Sequence, residues 1–416
     1  MSDLTVILHA RRTASAALNV LVGALDAAYD GSPPCHVRFV AGPIELAAVL
    51  TDEAAGGRRC LVAWSFYSPE VPAVTEELAS VRAVSPPGTV HLAGGVHATA
   101  EPAATLELGF DLVVVGEGEE PFVSLIGELA AGAAIDPDGD VSRVPGLARL
   151  GDDGSVRRTS PAPRHPLDRF PPFAAGRGRF NAIEITRGCV YGCTFCQTPY
   201  MFKARFRHRS IDDVAHWIRV LRASGRRDVR FLTPTCLSYG SDDESVDLPA
   251  VEALLATARK AAGPDGRLYF GTFPSELRPE HATPEALELI RRYCDNDNVV
   301  IGGQSGSDAM LSRTNRGHDV ASVLAAVRAT VAAGLVPNVD LLFGLPGETT
   351  ADARLTRELA VELRGLGARV HSHTFMPLPG TPLRDAPAGR VDDATRTELD
   401  RLASAGGAYG AWRRQE

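Results

Sequence analysis

Three cysteines lie close together near the middle of the chain. Cys189, Cys193 and Cys196 have the spacing C-x3-C-x2-C. Three thiolates can ligate three corners of a cubane [4Fe-4S] cluster and leave the fourth iron open to another ligand. The alternative is a structural zinc site, but such sites usually have a fourth ligand at a second close spacing, and none follows here before His208. The spacing therefore favours a [4Fe-4S] cluster.

Three other side chains are candidates for catalysis. Cys236 follows a predicted strand and could be a reactive thiol, although a cysteine at such a place can also be a small buried apolar residue. His371 and His373 alternate along one predicted strand, so their side chains point to the same face. If that face lines an interior, both histidines are candidate substrate contacts or proton acceptors.

Repeated strand–helix units must position these residues in the second half of the chain. The strands are predicted at 181–187, 228–233, 267–273, 298–304, 337–343 and 369–376. Helices are predicted near 210–224, 247–262, 283–294, 319–333 and 351–366. Six such units predict a partial (β/α)6 barrel over 181–383, with its chemistry at the carboxyl ends of the strands. A helical C-terminal extension is predicted over 384–416.

The first half of the chain shows the same alternation. Strands are predicted at 4–8, 36–40, 60–66, 89–93 and 111–115, with helices between them. This pattern predicts an α/β, doubly wound (Rossmann-like) domain over 1–132, which would bind ligands beyond the carboxyl ends of its strands. Turn-forming residues at 136–139 and 151–154 indicate a linker over 133–180, with a hairpin predicted at 146–150 and 155–159.

Composition narrows the class of protein. The 416 residues carry a net charge of −8 and no long basic run, which argues against a nucleic-acid or membrane surface. No basic segment followed by an apolar one marks a signal peptide, and no apolar stretch reaches the roughly 18–20 residues of a spanning helix. Seven cysteines, three of them clustered, suit a reducing cytoplasm. We therefore expect a cytoplasmic protein.

The cysteine run, with Phe195 before its last cysteine, resembles the radical SAM superfamily. The domain in front of it resembles a cobalamin-binding domain. Together they are most similar to a little-characterised group of cobalamin-binding-domain radical SAM proteins, which in turn resemble cobalamin-dependent radical SAM methyltransferases. Further phrases that carry this likeness lie at 273–280, 304–308 and 373–381. The resemblance implies a [4Fe-4S] cluster, S-adenosylmethionine (SAM) and cobalamin as cofactors.

The resemblance also implies which residues bind SAM. Gln304, Arg316 and Asp340 would meet its carboxylate and ribose, because a guanidinium suits a carboxylate and an acid suits ribose hydroxyls. Glu276, at the end of the third strand, would meet the SAM ammonium group, and Phe195 belongs to the same region. The second strand ends in Thr-Pro-Thr-Cys and lacks the Gly-Gly-Glu phrase of many relatives.

For cobalamin, the resemblance points to the strand ends of the first domain. The candidate contacts are Trp64, Ser65, Tyr67, Gly94, Gly95, His97, Gly116, Glu117 and Gly118. Cobalamin domains of the mutase type hold the lower face of cobalt with a histidine in an Asp-x-His-x-x-Gly loop. His9 occupies that place here, but neither the Asp nor the Gly of the motif is present. We therefore expect a cobalt without a histidine ligand.

Three enzymatic functions follow from this resemblance. The first is a C-methyltransferase that acts on an unactivated carbon of a small metabolite, through a 5′-deoxyadenosyl radical and methylcobalamin. An external electron donor of flavodoxin or ferredoxin type would supply electrons. The second is a rearrangement or cyclisation without net methylation. The third is methylthiolation of RNA or protein. Against it, the first domain lacks three further cluster-binding cysteines, and no basic RNA-binding module follows the barrel. A relic cluster that serves as a sensor has no feature in its favour.

Overall fold

The computed structural model describes residues 3–133 and 143–416, which form two compact units. The first unit runs to Asn181, apart from Pro166–Asp168, which belong with the second unit. The second unit contains Ala182–Glu416. The turn that the sequence predicts at 136–139 lies outside the described residues.

A single sheet of seven strands forms the centre of the first unit. In the order β2-β1-β3-β4-β5-β6-β7, its first five strands are parallel and its last two antiparallel. The strands are β1 (Leu4–His9), β2 (His36–Val40), β3 (Arg59–Ser65), β4 (Val90–Gly94), β5 (Leu112–Val114), β6 (Leu147–Leu150) and β7 (Val156–Arg158).

Helices cover both faces of this sheet. They are α1 (Ser15–Ala28), α2 (Pro43–Ala55), α3 (Val71–Arg82), α4 (Val96–Ala100), α5 (Pro102–Glu107) and α6 (Glu119–Ala130). Parallel strands covered on both faces are apolar throughout, and Leu61, Val62 and Ala63 of β3 are all buried. Alternate residues of the strands enter two separate apolar cores, one on each face. The predicted doubly wound fold is confirmed.

The predicted hairpin forms, but it belongs to the sheet of the first unit. Strand β6 pairs antiparallel with β5, with Val113 opposite Ala148, and β7 then pairs with β6. The unpaired edge of a strand has open hydrogen-bonding groups, and the hairpin covers those of β5. The interpretation of 133–180 as a separate linker is therefore corrected, because its hairpin completes the sheet.

The second unit is an open barrel of parallel strands with a separate antiparallel pair, β9 and β10. Strands β8, β11 and β12 are neighbours in one part, and β13, β14, β15 and β16 follow one another in the other. A single bridge from Leu277 to Ile301 of β13 joins the two parts, and a bridge from Thr233 to Ser275 extends the pairing of β11 with β12. The strands are β8 (Ile183–Glu184), β9 (Thr186–Arg187), β10 (Arg207–His208), β11 (Asp228–Leu232), β12 (Arg267–Tyr269), β13 (Asn298–Gln304), β14 (Val336–Phe343), β15 (Arg369–Thr374) and β16 (Ala408–Gly410).

Most helices of this unit begin at capping side chains. Ser, Thr or Asp accepts a hydrogen bond from a backbone N–H of the first turn at Ser210, Asp247, Thr283, Asp319 and Thr349. Such caps satisfy amides that the helix leaves unpaired. The helices are α7 (Gln197–Met201), α8 (Ile211–Ala223), α9 (Leu248–Ala262), α10 (Pro284–Tyr293), α11 (Asp308–Arg313), α12 (Val320–Ala332), α13 (Thr350–Gly365), α14 (Asp393–Ser404) and α15 (Trp412–Gln415). In the described chain, no helix is long and apolar enough to cross a membrane.

The C-terminal segment is part of the barrel rather than an extension beside it. Strand β16 pairs in parallel with β15, with Tyr409 opposite His371. Thr374 of β15 donates a hydrogen bond to the carbonyl of Trp412 at 3.0 Å. The predicted division at residue 384 is therefore corrected, because this segment covers the edge of the last barrel strand.

Candidate active site

The three clustered cysteines lie on the loop after β9, at the carboxyl end of the first barrel strand. Cys193 is buried, whereas Cys189 and Cys196 are half-buried in the same apolar group. Three thiols on one short loop provide the three ligands of a cubane cluster whose fourth iron stays open.

Cationic side chains surround these thiols. Burial raises the pKa of the Cys189 thiol to about 12, and the nearby charge of Arg278 opposes that rise. Arg316 donates a hydrogen bond to the sulfur of Cys193 at 3.3 Å. Since the thiolate is the form that binds a metal, these cations favour the form that holds a cluster. The sequence analysis missed Arg278, although it lies in the phrase 273–280 that carries the family resemblance.

Three of the predicted SAM contacts converge on Gly302 of β13. A methyl group added at this glycine would lie 2.9 Å from Arg316 Nη2, 3.1 Å from Gln304 Nε2 and 3.2 Å from Glu276 Oε1. Arg316 also donates to the carbonyl of Gly302 at 2.7 Å, yet its buried Nε has no hydrogen-bond partner among the described residues. The three side chains therefore form a polar cradle beside Cys193, and the Nε of Arg316 is an unsatisfied donor in this cradle.

Glu276 has an unusual acid–base character for a glutamate. Burial raises its pKa to about 7; Arg316 lowers it, and the carboxylate of Asp340 raises it further. Asp340, the fourth residue predicted to contact SAM, therefore lies near the cradle. Phe195 also borders it, since the Arg316 guanidinium lies 5.9 Å from the centre of the Phe195 ring.

Asp340 forms a second cluster with the two predicted catalytic histidines. His371 Nδ1 lies 2.8 Å from Asp340 Oδ1 and 3.2 Å from His373 Nε2. Tyr409 stacks on His371 with the ring centres 4.6 Å apart. The structure thus brings Asp340, His371 and His373 together. The sequence did not predict that Tyr409 belongs to this cluster. The only sign of it was an aromatic residue among small residues near the C-terminus.

Cys236 does not belong to this site. Its side chain is completely buried, and this burial raises the pKa of its thiol. A thiol that solvent and substrate do not reach, and that stays protonated, is a poor nucleophile. The interpretation of Cys236 as a reactive thiol is therefore corrected in favour of a packing role.

In the first unit, most of the predicted cobalamin contacts follow the carboxyl ends of β3, β4 and β5. These residues are half-buried or exposed: Ser65, Tyr67, Gly94, Gly95, Gly116, Glu117 and Gly118. Trp64 differs, because it is 2% exposed in the core, where its Nε1 donates to His91. His97 is also buried, and its Nδ1 lies 3.0 Å from the Ser68 hydroxyl. The burial of both side chains argues against Trp64 and His97 as side-chain contacts to cobalamin, although both were among the candidate contacts.

Comparison with known families identifies the second unit. Residues 183–360 match the Radical SAM superfamily. The match begins at β8, includes the three cysteines and the cradle, and ends within α13. This confirms the resemblance seen in the cysteine run, so the second unit contains a radical SAM domain.

Two solved structures share the fold of most of the chain. One is the radical SAM methyltransferase TsrM from Kitasatospora setae, with cobalamin and a [4Fe-4S] cluster bound; it has a TM-score of 0.69 and 20% identity, over 92% of this chain and 74% of that one. The other is the cobalamin-dependent SAM radical enzyme OxsB, with a TM-score of 0.65 and 14% identity, over 86% of this chain and 51% of that one. The likeness confirms the predicted order of a doubly wound domain and a radical SAM barrel.

Curated relatives are more similar in sequence but over less of the chain. The tRNA-2-methylthio-N(6)-dimethylallyladenosine synthase of Geobacter sulfurreducens is 31% identical over 242 residues, which cover 57% of this chain and 51% of that protein. The ribosomal protein uS12 methylthiotransferase RimO of a Thermotoga species is 29% identical over 199 residues, or 46% of this chain and 44% of that protein. The chain thus spans about half the length of the curated relatives that it matches.

Proposed function

We propose that this protein is a cobalamin-dependent radical SAM enzyme that methylates an unactivated carbon of a small metabolite. The observation that carries the proposal is the cradle of Glu276, Gln304 and Arg316 beside the sulfur of Cys193. It combines a cluster ligand with the charged groups that would bind an amino acid moiety. The doubly wound first unit adds a surface for the second cofactor.

In this proposal, each part of the cradle binds one part of SAM. The unpartnered Nε of Arg316 and the amide of Gln304 would donate to the SAM carboxylate. Glu276 in its ionised form would accept from the ammonium group, and this cation would in turn lower the Glu276 pKa from about 7. Asp340 would accept from the ribose hydroxyls. When bound, the cluster supplies the electron that cleaves SAM, and cobalamin supplies the methyl carrier.

The first unit supports cobalamin binding through its backbone. Gly95 and Gly116 have φ values of 92° and 100°, which favour glycine, and a methyl group at Gly116 would meet nothing within 4 Å. Open backbone at the carboxyl ends of neighbouring parallel strands is where doubly wound domains bind ligands. His9 is 1% exposed and packs against Trp64, with the ring centres 4.2 Å apart and the ring planes tilted by 53°. We therefore propose that His9 packs in the core and does not ligate cobalt.

Two alternatives use parts of the same machinery. A rearrangement or cyclisation would need both cofactors and the same cradle, but no methyl group would move. Methylthiolation is favoured by the names of the curated relatives at 29–31% identity. It would need three further cluster cysteines in the first unit, whereas residues 1–181 contain Cys35 and Cys60, which are both buried. We therefore rank methyl transfer above methylthiolation, and isotope labelling separates it from the rearrangement.

The test follows an isotope label from SAM and needs no substrate. Protein produced with hydroxocobalamin and given its iron under anaerobic conditions would be incubated with a one-electron donor and SAM labelled in its methyl group. We expect the label on the protein-bound corrin, together with 5′-deoxyadenosine from uncoupled SAM cleavage. Corrin binding and 5′-deoxyadenosine without transfer of label would favour the rearrangement. A protein that binds no corrin would overturn both readings.

A further inference from the structure

We propose that Asp340, His371 and His373 form a binding site for one divalent transition-metal ion, separate from the cysteine cluster. Each residue contributes one ligand atom, and the three atoms all lie within 4.8 Å of one another. Nothing in the methyl-transfer proposal requires such an ion. The inference rests on the geometry of these three side chains; it shares Asp340 with the SAM site proposed above, and Oδ1 of that carboxylate is the oxygen that faces His371.

The strand register brings the three side chains to one face of the sheet. Asp340 of β14 lies opposite His371 of β15, and His373 follows two residues along the same strand. Residues two apart on a strand point to the same side. Val370, Ser372 and Thr374, which alternate with the histidines, are buried on the other side. The arrangement therefore follows from the pairing of two adjacent strands and needs no loop to maintain it.

The distances match those between ligands that share one ion. Metal–nitrogen and metal–oxygen bonds of about 2.0–2.2 Å, at octahedral to tetrahedral angles, separate adjacent ligand atoms by about 2.8–3.6 Å. Asp340 Oδ1 lies 2.8 Å from His371 Nδ1, and His373 Nε2 lies 3.2 Å from that same nitrogen. Small shifts of the side chains would therefore complete the coordination.

Protons alone satisfy this cluster poorly. His371 Nδ1 faces both the Asp340 oxygen and His373 Nε2, but a ring nitrogen carries at most one hydrogen. If that hydrogen points to Asp340, the lone pair or N–H of His373 lacks a good partner. If Nδ1 has no hydrogen, its lone pair faces a carboxylate oxygen. A cation between the three atoms would accept all three lone pairs.

Neighbouring side chains hold the two imidazole rings in this orientation. The Tyr409 ring lies nearly parallel to His371, with 12° between the two planes. Gln415 Nε2 lies 3.5 Å from His373 Nδ1, on the opposite side of the ring from the cluster. Outer contacts that fix the ligand rings are typical of metal sites. The C-terminal strand and helix that provide them thus gain a role beyond closing the sheet edge.

The ligand set indicates the class of ion and what it would do. Two imidazoles and one carboxylate suit Zn²⁺, Fe²⁺, Co²⁺ or Mn²⁺, and three protein ligands leave coordination positions open. The side chains of Asp340 and His371 are 16% and 28% exposed, so an ion can reach them. Since Asp340 is also one of the proposed SAM contacts, an ion that it ligates would lie beside the proposed SAM site. There the ion would bind a carboxylate, hydroxyl or amine of the substrate.

The experiment measures Mn²⁺ binding to the complete protein with its cluster in the oxidised state, which is diamagnetic. The electron paramagnetic resonance signal of free Mn²⁺ at room temperature decreases as the ion binds. We expect about one Mn²⁺ per chain, displaced by Co²⁺, which binds such ligands more tightly. His371→Gln and His373→Gln should each weaken binding by about tenfold or more.

His216→Gln is the matched control, because it removes an exposed imidazole from α8, outside the cluster. It should leave Mn²⁺ affinity unchanged. If a histidine variant fails to fold, Asp340→Asn replaces it in the binding measurement, because asparagine preserves the shape of the side chain. Wild-type protein that binds neither ion, or folded cluster variants that bind as wild type does, would overturn the proposal. The readout needs no SAM cleavage, so failure of the methyl-transfer proposal would be seen separately.

Discussion

The guanidinium of Arg316 lies 3.3 Å from the sulfur of Cys193, although 123 positions separate the two residues in the chain. The same side chain donates to the carbonyl of Gly302 on β13. Arg316 therefore connects the loop after the first barrel strand to the fourth main strand of the barrel. It lies between the cluster ligands and the residues that would bind SAM.

We expect the three cysteines of the loop to be individually necessary for the cluster. A [4Fe-4S] protein holds about four irons per chain. We expect a much lower iron content and no 5′-deoxyadenosine from each of the variants Cys189→Ala, Cys193→Ala and Cys196→Ala. Iron analysis and chromatography of the products measure both. Cys294→Ala, at a half-buried cysteine outside the loop, is the control. Zinc in place of iron, or SAM cleavage by the triple variant, would contradict the assignment.

The planar fork of Arg316 should matter more than its charge. Arg316→Lys keeps the charge but removes the Nε–H, the unpartnered donor that would bind the SAM carboxylate, together with the directed contacts to Cys193 and Gly302. Hydrogen bonds to charged groups contribute about 1.5–3 kcal/mol, so we expect SAM to bind about 10- to 150-fold more weakly. Calorimetric titration with SAM measures this. Arg313→Lys, at an exposed arginine on α11, should change nothing, and equal affinities in both variants would refute the cradle.

A single methyl group at Gly302 should damage the cradle. In Gly302→Ala the new carbon would lie 2.9–3.2 Å from Arg316, Gln304 and Glu276, so these side chains must move. We expect a folded protein with its iron but with weaker SAM binding. Gly365→Ala is matched, since a methyl group there meets nothing within 4 Å. Normal SAM affinity in Gly302→Ala would show that the ligand lies elsewhere.

The buried His9 should not be a cobalt ligand. Electron paramagnetic resonance of the Co(II) form shows splitting by nitrogen when a histidine is bound to cobalt. We expect a spectrum without that splitting in wild type and nearly normal corrin retention in His9→Ala. Splitting that is present in wild type and disappears in His9→Ala would reverse this interpretation. It would also favour the rearrangement over methyl transfer.

The first unit should lose stability in mild acid. Burial lowers the pKa values of His9 and His91 to about 4, from an ordinary value of 6.5. Between these pH values the unfolded chain binds more protons than the folded one, so stability is full above pH 6.5 and falls as the pH drops toward 4. Each histidine contributes a slope of up to about 1.4 kcal/mol per pH unit.

Fluorescence of Trp64 can follow this loss, because the other tryptophans, Trp217 and Trp412, belong to the second unit. In a background with both replaced by Phe, urea unfolding at several pH values gives the slope. His9→Gln should reduce this slope by the contribution of about one proton. The same slope in wild type and His9→Gln would show that His9 is already able to ionise in the folded protein.

Local signals in the sequence determined the order of strands and helices and the cluster loop. Apolar runs such as Leu61–Ala63 indicate buried parallel strands, capping residues such as Ser210 begin the helices, and the spacing of Cys189 to Cys196 is short enough to be read directly. Each of these features depends on residues within one turn or one strand. For that reason no tertiary contact was needed to predict them.

Only the tertiary structure decided which distant residues meet and which are hidden. The alternation that put Trp64 and Cys236 near strand ends does not reveal their burial, because burial depends on what packs over them. The hairpin after residue 146 and the strand at 408–410 became parts of their sheets because open strand edges needed partners. Likewise, the cluster of Asp340, His371 and His373 exists because strand register brings a carboxylate opposite an imidazole. Register is a property of paired strands, and a single strand sequence does not contain it.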